Sequence, residues 1–349
     1  MTSFVRGAAL AVGVLAGAVG CAGAAGFPVD EERGGMPTFA PVLARVLPSV
    51  VNINTLSPVQ VRSPAGLEQR LVPSSASGIV VDAERGYILT NHHVVAGASW
   101  MGVALADGRM FEAKVVGSDA ATDIGVLKIV ADNLKQIPRG RSADVRVGDI
   151  VVAVGNPFGL GQTATMGMVS ALARRVEVEG VEDYIQTDAA LNPGNSGGAL
   201  IDVTGALIGI SAAIIGPRAN VGIGFAVPID LARLVMDQLI KYGSMQRPAI
   251  GMDVVDVTPD VAAAVGTTGA AVHGVRPASA AAGADLRVGD VIHSFNGVAV
   301  RDASDLVNRF GTTRVGDRVR LGIARGTTRL EVHLDLNEPR AVALAPVQP

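Results

Sequence analysis

A serine set among glycines is the densest chemical signal in the chain. Gly194-Asn195-Ser196-Gly197-Gly198 follows the turn-forming Asn192-Pro193 and precedes the apolar Ala199-Leu200-Ile201. A nucleophile on a tight turn needs such flanks, because the backbone must approach a substrate carbonyl closely and adopt φ/ψ values that a Cβ resists. The backbone N–H groups of Gly194 and Ser196, with Asn195 between them, can then converge as an oxyanion hole, a device worth about 3–4 kcal/mol per donor. An ordinary Gly-rich turn has the same local composition, so other residues must decide the role. A serine hydroxyl is a weak nucleophile at neutral pH and needs a base within hydrogen-bond reach, itself oriented by a third group. Leu89-Thr90-Asn91-His92-His93-Val94-Val95 places histidine at the end of an apolar strand. Ala121-Thr122-Asp123-Ile124-Gly125-Val126-Leu127 places an aspartate at the start of another. Each alone is weak, since an Asp before a strand is ordinarily a turn residue and a strand-end His is ordinarily solvated.

Their joint order is informative. His…Asp…Ser is the chain order of chymotrypsin-like enzymes and differs from the orders in α/β-hydrolases and subtilisins. Thr90-Asn91-His92-His93-Val94-Val95, Thr122-Asp123-Ile124, Gly155-Asn156-Pro157-Phe158-Gly159, the run Thr187 to Gly198 and Gly224-Phe225-Ala226-Val227-Pro228 together resemble the HtrA/Deg family of trypsin-like serine proteases. The resemblance extends from about Phe39 to Leu336. It implies a mainly β fold, a chymotrypsin-like double β-barrel, with His93 as general base, Asp123 as its orienting partner and Ser196 as nucleophile. One departure concerns the base: the family commonly has Asn-Asn-His where this chain has Asn91-His92-His93. The following Val94-Val95 favours His93. Adjacent strand residues point to opposite sides, so only one imidazole can face Ser196 and His92 is expected to be a packed or solvated bystander. Neighbouring side chains that diverge, with no thiolate nearby, make a poor zinc site, and neither a metal nor a cofactor is expected. His273, His293 and His333 have no motif around them. In the chymotrypsin architecture the specificity-pocket floor lies six residues before the nucleophile, here Ala190, and one wall is Ser211-Ala212-Ala213. No carboxylate stands there to hold Lys or Arg, which fits the family's liking for Val, Ala and similar residues. Asp188 reads as a structural hydrogen-bonder.

The elements that must position these residues follow a barrel rhythm. From Val50 to about Val227 short β-branched runs, such as Val50 to Ile53, Gly78 to Val81, Val126 to Ile129 and Asp149 to Val154, alternate with Gly, Asp and Pro turns. A helix is predicted before them, over Met36 to Pro48, and another after them, from Asp230 to a C-cap at Gly243, with Leu231, Leu234, Val235, Leu239 and Tyr242 on one face. A protease domain is therefore placed at residues 37–243, a polar linker at 244–247, and a smaller α+β unit at 248–336. That unit has strands near Ile250, Val272, Val291, Val319 and Arg329, and a helix capped by Asp302 with Ala303, Leu306, Val307 and Phe310 in register. It resembles a PDZ domain, present once. The resemblance makes Ile250, Gly251 and Met252 a loop whose N–H groups capture a peptide's C-terminal carboxylate, with Leu306 and Phe310 on the opposite wall. The same apolar positions would also serve as plain core. Residues 337–349 read as a loose Pro- and Ala-rich tail.

Composition bounds what remains. In 349 residues, 29 Lys and Arg against 32 Asp and Glu leave a net charge of −3, with no cationic excess for nucleic acid. The single cysteine, Cys21, excludes an intrachain disulfide. It stands inside an uncharged stretch of 23 residues, Gly7 to Val29, behind Arg6, which reads as an export signal over residues 1–26. Ala18-Val19-Gly20-Cys21 resembles a bacterial lipobox. Cleavage after Ala22-Gly23-Ala24 and retention as a membrane anchor are the alternatives, and all three place the body in the periplasm or cell envelope, the first and last with a membrane tether. The family resemblance then implies an exported, ATP-independent endopeptidase. It would cleave misfolded or damaged proteins, bind peptide C-termini at the PDZ domain and assemble as a homotrimer, with the helix around Phe39 as a contact. A regulatory protease activated by peptide sensing and a chaperone-like binding module with little hydrolysis are the alternative functions. Intact mass of the purified protein tests the N-terminus: acylation adds a large increment on Cys21, and residues 1–20 still attached would overturn both cleaved forms.

Overall fold

Two curved antiparallel sheets account for the strand-forming runs between Val50 and Val227. The computed structural model describes residues 27–63, 66–156, 161–174, 181, 183–192, 194–214 and 222–337. The export segment with Cys21, the residues Pro157-Phe158-Gly159, Pro193 and the tail from Glu338 lie outside the described residues. The first sheet has seven strands in the order Met110–Glu112, Trp100–Ala104, Val50–Ser63, Gly66–Asp82, Tyr87–Thr90, Ile124–Lys128 and Lys114–Asp119. Its end strands do not pair with each other, so it is a curled half-barrel. The second is a closed barrel of Ile150–Gly155, Thr163–Arg174, Tyr184–Thr187, Gly224–Pro228, Leu207–Ile214 and Ala199–Asp202.

The continuous apolar runs are explained by burial on both faces. Val151 and Ala153 fill the closed barrel with Ile185, Leu200 and Ala226. Their neighbours Val152 and Val154 face the other way, into a seam shared with Val50, Ile79, Leu89 and Ile124 of the first sheet. Val51, Ile53, Val80 and Ile88 line the interior of the first sheet. Side chains alternate across a strand, and here neither face meets water.

Two expectations shift in detail. The hairpin of Val50–Ser63 and Gly66–Asp82 pairs along its full length, from Val50 with Ile79 to Ser63 with Gly66, well beyond the apolar runs at its base. Its outer part is exposed and mixed in polarity, with Leu67 and Leu71 on the surface. The helix expected to reach Pro48 spans Ala40–Val46 and tightens into a 3₁₀ turn at Leu47–Ser49. The helix Ile229–Tyr242 ends at Gly243, whose left-handed φ of 76° lets its N–H donate to the Leu239 carbonyl. Tyr242 is on its exposed side, where Lys241 Nζ lies 4.8 Å from the ring centroid.

The smaller unit is a sheet ordered Met252–Asp256, Ala270–Val275, Val291–Phe295, Arg318–Arg325 and Thr328–Asp335, with Val298–Ala299 beside the third strand. The helix Ala303–Gly311 covers it, and Asp302 caps that helix by accepting from Asp305 N–H. Leu306 and Phe310 are buried in this core, Phe310 edge-on against Phe295 at 5.1 Å.

The stretch expected as a linker is packed rather than free. Met245 joins the seam core and Gln246 N–H donates to Gln238 Oε1. Arg247 donates to both oxygens of Asp119, at 2.6 and 2.7 Å. Burial alone would raise the Asp119 carboxyl, but the paired guanidinium, with help from Thr122, holds it below the usual carboxylate value. A depressed folded-state pKa contributes stability that is present above the unfolded value of about 3.9 and is lost as pH falls through the folded value. Arg247→Ala leaves a buried carboxylate unpaired and should cost about 3–5 kcal/mol. Thermal melts should show a lower midpoint at neutral pH, and the deficit against the parent should narrow toward acid, where the parent loses the Asp119 contribution and protonation relieves the variant's unpaired carboxylate.

Candidate active site

Histidine and aspartate meet at the end of two paired strands. Tyr87–Thr90 pairs with Ile124–Lys128, Thr90 opposite Gly125, so the residues just past Thr90 and just before Ile124 are brought together. Asn91 is extended and leads into one helical turn, His92–Val95. Its side chain donates to the Asp123 carbonyl at 3.1 Å. His93 N–H donates to Asp123 Oδ1 at 3.0 Å, and His93 Nδ1 lies 3.0 and 2.9 Å from the two carboxylate oxygens. An ionised carboxylate only accepts, so it selects the tautomer with the proton on Nδ1 and leaves Nε2 as an acceptor. Asp123 has φ 53°, a left-handed conformation that Asp tolerates better than most residues. The turn before it is braced by Asp119, whose Oδ2 accepts from Thr122 N–H and Oγ1 at 3.1 and 2.6 Å.

The two histidines sit on a helical turn rather than on a strand, which corrects the expected geometry. Successive helix positions differ by about 100° instead of pointing to opposite sides. They diverge all the same: His92 Nδ1 is 2.9 Å from Ser118 Oγ, away from Asp123.

The turn that carries Ser196 leads into the closed-barrel strand Ala199–Asp202. Gly194 and Gly197 have φ of 96° and 79°, and a Cβ on Gly197 would overlap the Ser77 carbonyl and Thr90 Oγ1. This close approach seats the turn against the strand that leads to His93. Asn195 N–H donates to the Asn192 carbonyl, Gly198 N–H to Asn195, and Gly197 N–H to Ser211. Of the three residues expected at the oxyanion hole, Asn195 thus has its N–H engaged within the turn. The N–H groups of Gly194 and Ser196 donate to no backbone carbonyl among the described residues. Ser196 Oγ donates to the Ala212 carbonyl at 3.3 Å, so the structure joins His93 to Asp123 while Ser196 Oγ is turned toward Ala212.

Ala190 lies beside this turn, its carbonyl accepting from Thr165 Oγ1 at 2.8 Å. Ser211 and Ala212 are buried, and the Ala213 backbone pairs with Phe225. Asp188 Oδ1 accepts from Met168 N–H at 2.7 Å, a structural bond between neighbouring strands. Gly167 was not singled out from the sequence, yet a Cβ there would overlap Asp188 and the Ala189 backbone; only its contacts reveal it.

A second site lies in the smaller unit. A cavity of about 810 Å³ is lined by Ile250, Gly251, Met252, Leu306 and Phe310, and Ala121, Val181 and Arg247 of the first part of the chain reach it too. Gly251 has φ 75°, and its missing Cβ leaves room for Ser279. The Ile250 and Gly251 carbonyls accept from Ala281 and Arg276 N–H. Among the described residues, the loop's own N–H groups at Ile250 and Gly251 donate to no backbone carbonyl. Met252–Asp256 is the first strand of its sheet, and among the described residues no strand pairs with its outer edge, the place where a peptide strand would add.

Comparison with known proteins finds both domains. Residues 76–210 match the trypsin-like peptidase domain, and residues 248–336 match the PDZ domain. The periplasmic pH-dependent serine endoprotease DegQ of Escherichia coli strain K12 is 41% identical over 325 residues, covering 88% of this chain and 71% of that one. The periplasmic serine endoprotease DegP of Salmonella typhimurium is 37% identical over 345 residues, covering 87% and 73%. The solved structure of the HtrA-type protease AlgW with a tripeptide superposes with a TM-score of 0.74 at 40% identity, covering 87% of this chain and 98% of that one. The trypsin-like and PDZ matches in this order, with relatives this similar over most of their length, make the chain a member of the HtrA/Deg family of serine endoproteases.

Proposed function

We propose that the protein is an exported endopeptidase that cleaves misfolded or damaged proteins through an acyl-enzyme formed on Ser196, with His93 as base and Asp123 as its orienter. The observation that carries this reading is the carboxylate of Asp123 on His93 Nδ1 at 2.9 Å, which leaves Nε2 free to take a proton. Ser196 Oγ swings from the Ala212 carbonyl to Nε2, loses its proton there and attacks the scissile carbonyl. The N–H groups of Gly194 and Ser196 stabilise the oxyanion. His93 then gives the proton to the leaving amine, and water releases the acyl group by the reverse sequence. Ala190 and the Ser211-Ala212-Ala213 strand suit a small apolar side chain before the scissile bond. At the PDZ domain, Ile250, Gly251 and Met252 would hold a C-terminal carboxylate, with the last side chain between Leu306 and Phe310.

The relatives DegQ and DegP are named as periplasmic, and the same compartment is proposed here, with Cys21 as a candidate tether. A homotrimer is proposed through the N-terminal segment, where Phe27 stacks edge-on with Phe39 at 5.2 Å and Met36 is exposed. Peptide-gated activity is the second reading, favoured by Ala121 and Val181 at the PDZ cavity and by a Ser196 hydroxyl engaged with Ala212.

Ser196→Ala should abolish casein cleavage and fluorophosphonate labelling while leaving the melting midpoint unchanged; parental turnover would refute the assignment. His93→Ala should lose about 10⁴-fold or more in kcat, and His92→Ala should stay within about threefold, as expected of a residue outside the reacting unit. The opposite ranking would make His92 the base. A peptide with an apolar C-terminal residue and a free carboxylate should bind, and Gly251→Ala should weaken it at least about tenfold through lost N–H contacts. Equal binding of the amidated peptide would remove the carboxylate loop from the account. Casein turnover with and without that peptide separates broad quality control, with high basal activity, from strict peptide gating.

A further inference from the structure

The acyl-transfer steps leave unused both Ser77 and the segment Gly155-Asn156, yet both touch the nucleophile turn. Ser77 is fully buried, at 0% exposure, on the strand Gly66–Asp82. Its N–H donates to the Ser196 carbonyl at 2.9 Å. Its Oγ donates to the Gly194 carbonyl at 2.7 Å and accepts from Asn156 N–H at 2.8 Å. Its own carbonyl accepts from Thr90 Oγ1 at 2.9 Å. A backbone N–H can only donate and a carbonyl can only accept, so the single hydroxyl proton lies on the Gly194 side. The orientation of this hydroxyl is therefore determined by its partners.

Ser77 thus grips the carbonyls of Gly194 and Ser196, the two residues proposed above to supply the oxyanion donors. Gly194 has φ 96° and no Cβ to restrain it, and the bond to its carbonyl removes the freedom that it would otherwise keep. The clamp also spans the two sheets. Asn156 follows the barrel strand Ile150–Gly155, and its carbonyl accepts from Asn52 Nδ2 at 2.8 Å. Asn52 lies on Val50–Ser63 of the first sheet. A Cβ on Gly155 would overlap the Asn195 side chain, so this segment also closes on the nucleophile turn.

We propose that Ser77 is a positioning residue for peptide hydrolysis: its hydroxyl, oriented by Asn156 N–H, holds Gly194 so that the oxyanion donors stand in place before substrate arrives. This rests on Ser196 as the nucleophile. A hydroxyl that served stability alone would lower the melting midpoint and leave the turnover of folded molecules intact.

Full-length Ser77→Ala, Ser77→Cys and Ser196→Ala decide the matter on a peptide substrate, assayed well below each melting midpoint. Fluorescence of Trp100, the one tryptophan in the chain, reports the folded fraction. Removing a direct oxyanion donor costs about 10²–10³ in kcat, and Ser77 acts one bond away, so Ser77→Ala should lose about 10–100-fold in kcat. KM should stay within about twofold, the signature of an interaction felt mainly in the transition state. Ser77→Cys, whose thiol fills the space but donates weakly, should fall between. Parental kcat in either folded variant, or a rise in KM alone, overturns the proposal. If Ser77→Ala does not fold, Ser77→Cys is judged by the same criteria; if neither folds, Ser77 belongs to the scaffold and the proposal fails. Turnover by Ser196→Ala would instead overturn the nucleophile assignment.

Discussion

The apolar seam between the half-barrel and the closed barrel is the constraint on which the active site depends. His93 and Asp123 ride on strand ends of the first sheet, whereas Ser196 rides on a turn of the second. Their relation is therefore set by packing among Val50, Ile79, Leu89 and Ile124 on one side and Val152, Val154, Ile201 and Ile210 on the other. Burying one such side chain contributes roughly 1.5–3 kcal/mol, so the seam far outweighs any single polar contact across it. The polar contacts supply direction instead. Ser77 and Asn52 reach from the first sheet to the backbone at Gly194, Ser196 and Asn156, and they fix orientation where apolar packing fixes only distance.

A second coupling links the two domains. Arg247 stands just before the loop Ile250 to Met252 that lines the PDZ cavity and is paired with Asp119, and Asp119 caps the turn that delivers Asp123. The cavity of the PDZ domain is bounded partly by Ala121 of the same turn. The PDZ cavity and Asp123, which holds His93, thus share one short segment, with a buried ion pair at its root. Buried pairs often stabilise little in net terms, because desolvation offsets the Coulombic gain. What this one supplies is a defined position for residues 119–123.

Local features were legible wherever the cause was local. Gly243 as a C-cap, Asp302 as an N-cap and the alternation of strands and turns follow from the conformational preferences of those residues. The contact of His93 with Asp123 was legible because base chemistry demands particular side chains in a particular order, whereas the direction of Ser196 Oγ toward Ala212 was not. The outer hairpin was not, since its exposed strands of mixed polarity carry no periodic signal and Pro58 and Pro73 argue against them. The helical turn at His92–Val95 runs against the β preference of its two valines, and in it Ser118 and Asp123 hold the two imidazoles apart. Arg247 looked like part of a polar linker, because nothing near it in sequence announces a buried carboxylate 128 positions away.

By itself the sequence determined which groups could react, in which order they occur and which backbone positions require glycine, because these are properties of single residues and their neighbours. It also implied two domains, a protease followed by a peptide-binding module. Only the tertiary structure decided that Asn195 has its N–H engaged within the turn, that Ser196 Oγ rests on Ala212, and that Ser77 on a distant strand grips the turn carrying Ser196. Those outcomes depend on where two sheets come to rest against each other. That placement is a sum over many buried contacts between residues far apart in the chain, and no short motif encodes it.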